Sequence, residues 1–584
     1  MRSSGARRGH LSASRSQLIA LLVAVPFSLA FTGANYAQDH APGAPLAASA
    51  AITGDHPLEA ANYAAGPEIA ASTPLAMQVV FALRNSSALD RLLAEQQDPS
   101  SPEYHHWLKP GEFVARFGPS DTDVAAVRSW LAGQGFTVEA LSADKRVLGF
   151  SGAATQAEAA FAVKIHTDAT GTKFANLSDP VVPKSLAPII ASLRGLSNLT
   201  HAQPNVALSS GFATTPAVKI GKLQRFGPND IYTFYDQTPP SSSSNNGSGA
   251  DCIAVIEVSD FDDASVNAFD QEFGVAPINL VRVLADGSDP GQIGTSYVEA
   301  LLDVEYAHAA APGVPIYAYI GDDATTNDAG LLDAAARAIT DDTCGAISLS
   351  FSVCGAAPSF FTETIDPLAK QAASQGQAVF VSSGDDGAAG LVLNKQGTGC
   401  VAGRTKNVNE ISADPNVTSV GGTQFKPRFR SGNDVGNVTE SVWHNARGAS
   451  GGGESAIFAK PSYQTGIIST DPNRDVPDVS FAASPITPGF FLGFEGQIAC
   501  CVGGTSLGAP YWAGIAQLAA QRDGKRVGPL NPALYSHSSN LRDVTKGNNG
   551  FHGVKGFKAT VGYDRATGLG TPDIENLLNA LAGP

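Results

Sequence analysis

The chain has 584 residues, of which 43% are hydrophobic and 16% charged, and its formal net charge is −16. This length predicts two or three structural units, because single domains rarely grow so large. We do not expect nucleic acid or an anionic membrane as partners, since both select basic surfaces. Few basic groups also suit a protein that stays folded in acid, because protonation then leaves fewer repelling cations.

The chain begins with the pattern of a secretory signal peptide, which we assign to residues 1–37. Four arginines precede an apolar run at 18–31, and small residues follow it. The run is interrupted by Pro26 and is shorter than the roughly 20 apolar residues of a membrane-spanning helix. We therefore predict an exported protein, extracellular or periplasmic, with no membrane anchor once the signal is removed.

Residues 55–205 have the alternating pattern of a small α+β unit. Strand-like and helix-like segments follow one another, and a glycine ends the second helical pattern. The predicted strands lie at 73–84 and 146–152, and the predicted helices at 86–99, 121–136 and 155–163.

Residues 206–225 have no strong period and are predicted to link the small unit to a larger domain at 226–584. In that domain short apolar strands alternate with helices, which indicates an α/β fold with a parallel sheet covered on both faces. The predicted strands lie at 252–259, 314–320, 345–351 and 377–384, and the predicted helices near 263–273, 295–311, 327–340 and 362–375.

Six cysteines are compatible with an oxidising compartment, and no C-x-x-C pair suggests zinc. A short loop separates Cys344 from Cys354, so we expect a disulfide between them. Adjacent cysteines rarely pair, so Cys500 and Cys501 are expected to have distant partners.

Ser506 lies in "CVGGTSLGAP" (501–510), which has several interpretations. The letters G-T-S-L-G match the nucleophile elbow of α/β-hydrolases. Extended to Pro510, they resemble the nucleophile turn of subtilisin-type peptidases. Ser506 also has the residue type of a helix cap. An apolar helix follows, and its N-terminus would offer backbone N–H donors to an oxyanion.

Glu299 and Asp303 are four residues apart in a predicted helix whose other residues are mostly apolar. This spacing places both carboxyl groups on one helical face. If the helix is buried, the pair should share protons and titrate together. The alternative is a solvated acidic stripe that Glu305 continues.

Asp385 follows a predicted strand in "VFVSSGDDGAAG", where the ends of parallel strands line a cleft. An Asp-Asp-Gly turn is the simpler explanation. A histidine base for Ser506 is hard to find: His308 is five residues past Asp303 and points elsewhere. His552 with Asp543 or Asp564 formally meets the requirement of an esterase.

Six motifs in order carry a resemblance to the sedolisin, or serine-carboxyl peptidase, family. The stretch at 98–124 also resembles the activation prodomain of that family, and the similarity covers roughly residues 70–580. The motifs are "VEALLDVEYAHAAAPG", "SSGDDGAAG", "SGGGES", "VPDVSF", "GGTSLGAPYWAG" and "DRATGLGTP".

The resemblance implies a subtilisin-like catalytic domain behind a ferredoxin-like activation prodomain. Ser506 would be the nucleophile, Glu299 its base and Asp303 the partner of Glu299. Asp385 would donate to the oxyanion, which requires a neutral carboxylic acid and therefore acid conditions. The prodomain would inhibit the enzyme until acid loosens it and the chain is cut within about 203–222, and "SGGGES" would line the cleft.

The resemblance also implies one structural Ca²⁺ in a C-terminal loop. Its ligands would be the carboxylates of Asp543 and Asp564, with the carbonyl oxygens of Val544, Thr560 and Gly562. Glycine is commoner in the family at position 560, which matters only if threonine cannot adopt the backbone angles there.

The resulting hypothesis is a monomeric, secreted acid endopeptidase that acts on protein or peptide substrates. Two alternatives remain from the sequence, a proteolytically inert binding homologue and a neutral Ser-His-Asp esterase or lipase. Relatives that release tripeptides leave endopeptidase action open as well.

Overall fold

The computed structural model describes residues 48–214, 225–239, 251–323, 330–430, 433–434, 438–467 and 471–581. The predicted signal peptide and residues 215–224 of the predicted linker lie outside these ranges. Among the described helices, none is both long and apolar enough to span a bilayer.

The N-terminal unit is built on a four-stranded antiparallel sheet with the order β3-β4-β2-β8. Its β-α-β-β-α-β succession is that of ferredoxin-like folds, as predicted. Alternate residues Leu75, Met77 and Val79 pack into one core with apolar residues of α3 and α4. The strands are β1 (Ser49–Ala51), β2 (Pro74–Phe81), β3 (Thr137–Leu141), β4 (Val147–Ala153), β5 (Ile165–Thr167), β6 (Phe174–Asn176), β7 (Val181–Pro183) and β8 (Ile190–Arg194), and the helices are α1 (Ser86–Gln96), α2 (Glu112–Phe117), α3 (Asp121–Gly133) and α4 (Ala154–Phe161).

The rest of the chain, from His201 onward, contains β9, which ends the predicted prodomain, and the larger unit. Its strands are β9 (His201–Pro204), β10 (Ala207–Thr214), β11 (Ile253–Glu257), β12 (Leu280–Leu284), β13 (Ile316–Ile320), β14 (Ala346–Leu349), β15 (Phe351–Cys354), β16 (Ala378–Ser382), β17 (Leu391–Leu393), β18 (Cys400–Ala402), β19 (Thr418–Gln424), β20 (Phe429–Arg430), β21 (Asn433–Asp434), β22 (Ser441–Val442), β23 (His444–Asn445), β24 (Gly448–Ala449), β25 (Gly453–Ala459), β26 (Asn473–Val476), β27 (Val479–Ala482), β28 (Phe490–Phe494), β29 (Gln497–Gly503), β30 (Leu541–Arg542) and β31 (Thr571–Pro572). Its helices are α5 (Pro228–Phe234), α6 (Asp263–Phe273), α7 (Gly294–Ala310), α8 (Gly330–Asp341), α9 (Asp366–Ser374), α10 (Gly508–Asp523), α11 (Asn531–Ser536) and α12 (Ile574–Leu581).

The main sheet has the order β12-β13-β11-β14-β16-β19-β22, with β27 paired to β19. All its pairs are parallel except β19 with β22. In β11, Ile253 and Val255 enter the core on the side of α7 and α10, whereas Ala254 and Ile256 enter the core under α8 and α9. A strand buried on both faces needs this continuous apolar run, which is why the sequence predicted it.

The predicted α/β fold class is therefore confirmed, and the four predicted strands of the large domain are β11, β13, β14 and β16. The sequence analysis missed β12, β19 and β27. The run Thr418–Gln424 shows why, because its Thr, Ser and Gly residues carry no apolar pattern although most of them are buried.

The expected Cys344–Cys354 disulfide is wrong. Cys344 precedes β14 and Cys354 ends β15, so about 30 Å of extended chain separates them. Cys344 instead bonds Cys252, at the start of the neighbouring strand β11, and Cys354 bonds Cys400.

The expectation that Cys500 and Cys501 have distant partners is also wrong. The other four cysteines of the chain pair with one another, and Cys500 bonds Cys501 within β29.

Candidate active site

Glu299 and Asp303 lie one turn apart on α7 and are both fully buried. The alternative of a solvated acidic stripe is wrong, because Glu305 is buried too and accepts a hydrogen bond from the Gly493 amide at 2.9 Å. The helix is apolar on nearly all sides, so its carboxyl groups are enclosed together with it.

Asp303 is held by two serines at the end of β14. Its Oδ1 accepts from Ser350 Oγ at 2.9 Å, and its Oδ2 accepts from Ser348 Oγ at 3.4 Å. Burial raises the pKa of Asp303 to about 8, although these hydrogen bonds favour the charged form.

Glu299 lies beside Asp303 and Ser506. Neither of its carboxyl oxygens has a well-oriented hydrogen bond among the described residues, yet both neighbours are close enough to affect its titration. Burial, and then the charge of Asp303, raise the pKa of Glu299 well above its usual range, while the Ser506 hydroxyl acts in the opposite direction. A carboxylate in this position is a stronger base than one in water.

The sequence analysis missed a third buried acid, Glu257, the last residue of β11. Both of its carboxyl oxygens lack hydrogen-bond partners in the described part of the chain. Burial and the charge of Asp303 raise the pKa of Glu257 well above its usual range. An acid at the end of a fully apolar strand was the available signal, because the carboxyl ends of parallel strands meet at the cleft.

Asp385 follows β16 and is half-buried, although its Oδ2 is shielded from solvent. Its Oδ1 accepts from both the amide and the hydroxyl of Thr505, each at 2.8 Å. Its Oδ2 has no hydrogen-bond partner among the described residues. Burial raises the pKa of Asp385 well above its usual range, despite the two hydrogen bonds.

Ser506 lies in the short turn Thr505–Leu507 that leads into α10. The helix-cap interpretation is wrong, because no side chain caps this turn or α10. Ser506 Oγ donates instead to the Ser350 carbonyl at 3.4 Å, and the Ser506 amide donates to the Asn205 carbonyl at 3.4 Å. Gly504 has φ +108°, and a Cβ there would collide with the Asn205 carbonyl oxygen.

The histidines of the esterase hypothesis lie elsewhere. His308 is buried with its Nε2 2.6 Å from the Ala276 carbonyl oxygen, and His552 Nε2 is 3.3 Å from Asp386. In the described part of the chain, His552 is not hydrogen-bonded to Asp543 or Asp564. The groups around Ser506 are therefore carboxyl groups.

The chain is similar to known proteins over most of its length. A family profile described as "Pro-kumamolisin, activation domain" matches residues 61–199. Kumamolisin of Bacillus sp. (strain MN-32) is 30% identical over 514 residues, which cover 83% of this chain and 88% of that protein. The chain belongs to the sedolisin family.

This sedolisin-family chain is also similar to Sedolisin of Pseudomonas sp. (strain 101), with 28% identity over 598 residues, 99% of this chain and 98% of that protein. Among solved structures, it is similar to the Pseudomonas sedolisin (serine-carboxyl proteinase) complexed with two molecules of pseudo-iodotyrostatin. The TM-score is 0.51 at 28% identity, covering 61% of this chain and 97% of that one. The protein is a serine-type peptidase with an activation domain.

The loop predicted to bind calcium brings its two acids against one short segment. Asp543 Oδ2 accepts from the Gly562 amide at 2.8 Å, and Asp564 Oδ2 accepts from the Thr560 amide at 3.0 Å. Burial raises the pKa of Asp564 to about 6, although its hydrogen bonds favour the charged form. Thr560 lies outside the left-handed region, whereas Gly562 has φ +78°, so threonine is tolerated at 560.

A second acidic cluster in this sedolisin-family chain, Glu454, Asp471 and Asp475, has a different character. Arg565 forms ion pairs with all three carboxylates, and Lys460 pairs with Asp471 and Asp475. These two cations thus offset much of the charge of the three carboxylates.

Proposed function

We propose that the chain is the precursor of a secreted endopeptidase that is active in acid and uses Ser506 as its nucleophile. The observation that carries this proposal is the burial of Glu299 and Asp303 beside Ser506, with Asp385 facing the same cleft. The family membership established above supports the reaction class.

In the proposed reaction Glu299 takes the proton of the Ser506 hydroxyl as its oxygen attacks the peptide carbonyl. Burial and Asp303 give Glu299 the basicity that an exposed carboxylate lacks. Ser348 and Ser350 hold Asp303 in place, so the pair keeps its geometry while a proton is shared. Glu299 then returns the proton to the leaving nitrogen, and water hydrolyses the ester.

Asp385 would stabilise the tetrahedral oxyanion together with the Ser506 amide. A carboxyl group donates a hydrogen bond only while protonated, and burial raises the pKa of Asp385, which keeps it protonated in acid. As the pH rises through this raised pKa the donor is lost. Activity is therefore expected in acid and should decline towards neutral pH.

Calcium would be held by the carboxylates of Asp543 and Asp564 and by the carbonyl oxygens of Val544, Thr560 and Gly562. These carbonyl oxygens accept no backbone hydrogen bond from the described residues, and an all-oxygen set suits this ion. When bound, Ca²⁺ would neutralise the two acids and stabilise the loop, without a part in hydrolysis.

The prodomain at 55–205 would act as an intramolecular inhibitor. Ser359 of the catalytic unit donates its hydroxyl to Asp55, and its amide donates to the Gly54 carbonyl at 3.0 Å. The Trp107 ring packs against Gly376 and Gly528 of the catalytic unit. The proposal also includes a monomer, with a signal peptide at 1–37 and a linker at 206–225.

Endopeptidase action is favoured over tripeptide release by the path of the chain through the cleft. Strand β9 approaches Ser506 on one side and β10 leaves it on the other. A cleft that holds chain on both sides also accepts the interior of a polypeptide.

The test compares the purified precursor with Ser506→Ala and, as a matched control, with Ser536→Ala, since Ser536 is exposed at the end of α11. After acidification, mass spectrometry follows the chain length and an unfolded protein serves as substrate. We expect processing and hydrolysis in wild type and Ser536→Ala, and neither in Ser506→Ala. A folded wild-type precursor that does neither would indicate an inert binding homologue, and equal activity in Ser506→Ala would exclude Ser506 as nucleophile.

A further inference from the structure

Residues 201–208 cross the cleft as an extended segment held at both ends. On one side β9 pairs antiparallel with β15, with Gln203 opposite Ser352. On the other side β10 pairs antiparallel with β29, with Ala207 opposite Gly503. Strand β29 runs directly into the turn that carries Ser506. Antiparallel addition of an extended chain is a general mode of peptide binding.

Asn205 lies between these two ladders, directly at the nucleophile. Its amide donates to the Ser350 carbonyl at 3.0 Å, and its carbonyl oxygen accepts from the Ser506 amide at 3.4 Å. A Cβ on Gly504 would collide with this same oxygen and lie 2.8 Å from Asp385 Oδ2. The Asn205 carbonyl oxygen and the Asp385 carboxyl group therefore both lie next to Gly504. The Asn205 carbonyl thus occupies the position in which an oxyanion would form.

The side chain of Asn205 is buried and bound at both ends. Its Nδ2 donates to Ser382 Oγ at 2.7 Å, and its Oδ1 accepts from Ser352 Oγ at 2.9 Å. Asn409 anchors the two strands behind it by donating to the Phe351 and Ser382 carbonyls, both at 2.9 Å. The two hydroxyls therefore bind the carbonyl and the amino group of one carboxamide.

We propose that Asn205–Val206 is the bond cut in self-processing and that the pocket of Ser352 and Ser382 selects substrates with asparagine on the N-terminal side of the cut bond. This inference rests on the proposed function. Ser506 Oγ adds to the Asn205 carbonyl carbon and its proton passes to Glu299. The C–N bond then breaks, the Val206 nitrogen receives that proton, and water releases the Asn205 carboxyl group.

Other side chains in this pocket lose part of this binding. Leucine has nearly the size of asparagine but leaves both serine hydroxyls buried without partners, at about 1–3 kcal/mol for each group. Aspartate matches asparagine in shape, but its charged form must be desolvated close to Asp385. Aspartate should therefore be accepted only where the solution is acid enough to protonate it.

The experiment uses mature wild-type enzyme and peptides with the sequence of residues 201–209, carrying asparagine, leucine or aspartate at the position of Asn205. We expect kcat/KM for the asparagine peptide to exceed that for the leucine peptide by at least about tenfold, since a site built for hydrogen bonds rejects analogues that lack them. The aspartate peptide should gain on the asparagine peptide as the pH falls. Mass spectrometry should place the first new N-terminus of the processed precursor at Val206.

Ser352→Ala separates recognition from catalysis. This variant should lower kcat/KM for the asparagine peptide about tenfold and raise it for the leucine peptide, because alanine removes both the hydrogen bond to asparagine and the hydroxyl that leucine leaves unpaired. The matched control Ser536→Ala should alter neither. Equal rates for the asparagine and leucine peptides, or a first cut at another bond, would overturn the inference. In that case the proposed function would still stand if hydrolysis in acid occurs in wild type and is lost in Ser506→Ala. Loss of hydrolysis of every peptide in wild type would refute the function itself.

Discussion

Replacing Asp385 by alanine and by asparagine separates the position of this carboxyl group from its proton. Asp385 Oδ1 accepts two hydrogen bonds from Thr505, and Oδ2 faces the point next to the Asn205 carbonyl. Alanine removes the donor to the oxyanion, which should lower kcat by about 10²–10³, or roughly 3–4 kcal/mol. Asparagine keeps both contacts with Thr505 and places a permanent N–H where Oδ2 lies.

The pH profile distinguishes the two variants further. In wild type the donor is present below the raised pKa of Asp385 and is lost above it, so kcat should fall as the pH rises through that value. Asp385→Asn has no proton to lose there. Its decline should begin at higher pH, with kcat in acid within about tenfold of wild type, since one donor replaces another.

The assay measures kcat and KM on a peptide from acid to neutral pH, with precursors matured in trans by wild-type enzyme. Asp270→Asn is the matched control: burial raises the pKa of Asp270 to about 7, yet its carboxyl group accepts from the Ile278 amide outside the cleft. It should leave the profile unchanged. An Asp385→Asn profile identical to that of wild type would refute the role assigned to the Asp385 proton.

Three further results are expected. At low pH kcat should fall as Glu299 becomes protonated, and Glu257→Gln should move this fall to lower pH with KM unchanged, because the charge of Glu257 raises the pKa of Glu299. An unmoved profile would contradict the electrostatic coupling of Glu257 to Glu299. Asp55→Ala should speed processing severalfold, because it removes the hydrogen bond from Ser359 and burial, which raises the pKa of Asp55 to about 6, makes this a neutral bond in acid, worth about 0.5–1.5 kcal/mol. An unchanged processing rate by mass spectrometry would contradict this. Ca²⁺ at one hundred times its Kd should raise the free energy of unfolding of the wild type by about 2.7 kcal/mol and so raise its melting temperature. Asp543→Ala should abolish this rise, as measured by thermal unfolding with a chelator as reference. A retained calcium response would place the ion elsewhere.

The acid pair was predictable because its evidence is local. Spacing by four residues in an apolar helix implies that Glu299 and Asp303 share one buried face, and they do. The nearness of Ser506 and Asp385 to that face depends on the order of strands in the sheet. No local pattern encodes that order, and the family resemblance supplied it.

The same physical limit explains the errors. Cys252 and Cys344 pair because β11 and β14 are neighbours in the sheet, although 92 residues separate them in the sequence. A choice of partner by closeness in the sequence could not find this pair. The pocket of Asn205 is likewise assembled from Ser352 and Ser382 on separate strands, so composition alone could only suggest that a linker began near that point.

Because strands on both sides of Asn205 are held by ladders, activation requires two steps, hydrolysis of the Asn205–Val206 bond and dissociation of the prodomain. After hydrolysis the new carboxyl end stays in the β9–β15 ladder as part of a folded prodomain, which keeps its local concentration at the cleft high. After the bond is cut, the severed prodomain therefore still blocks the cleft. Activity should lag behind the cut, and dilution, which favours dissociation of the severed prodomain, should shorten the lag without accelerating the cut.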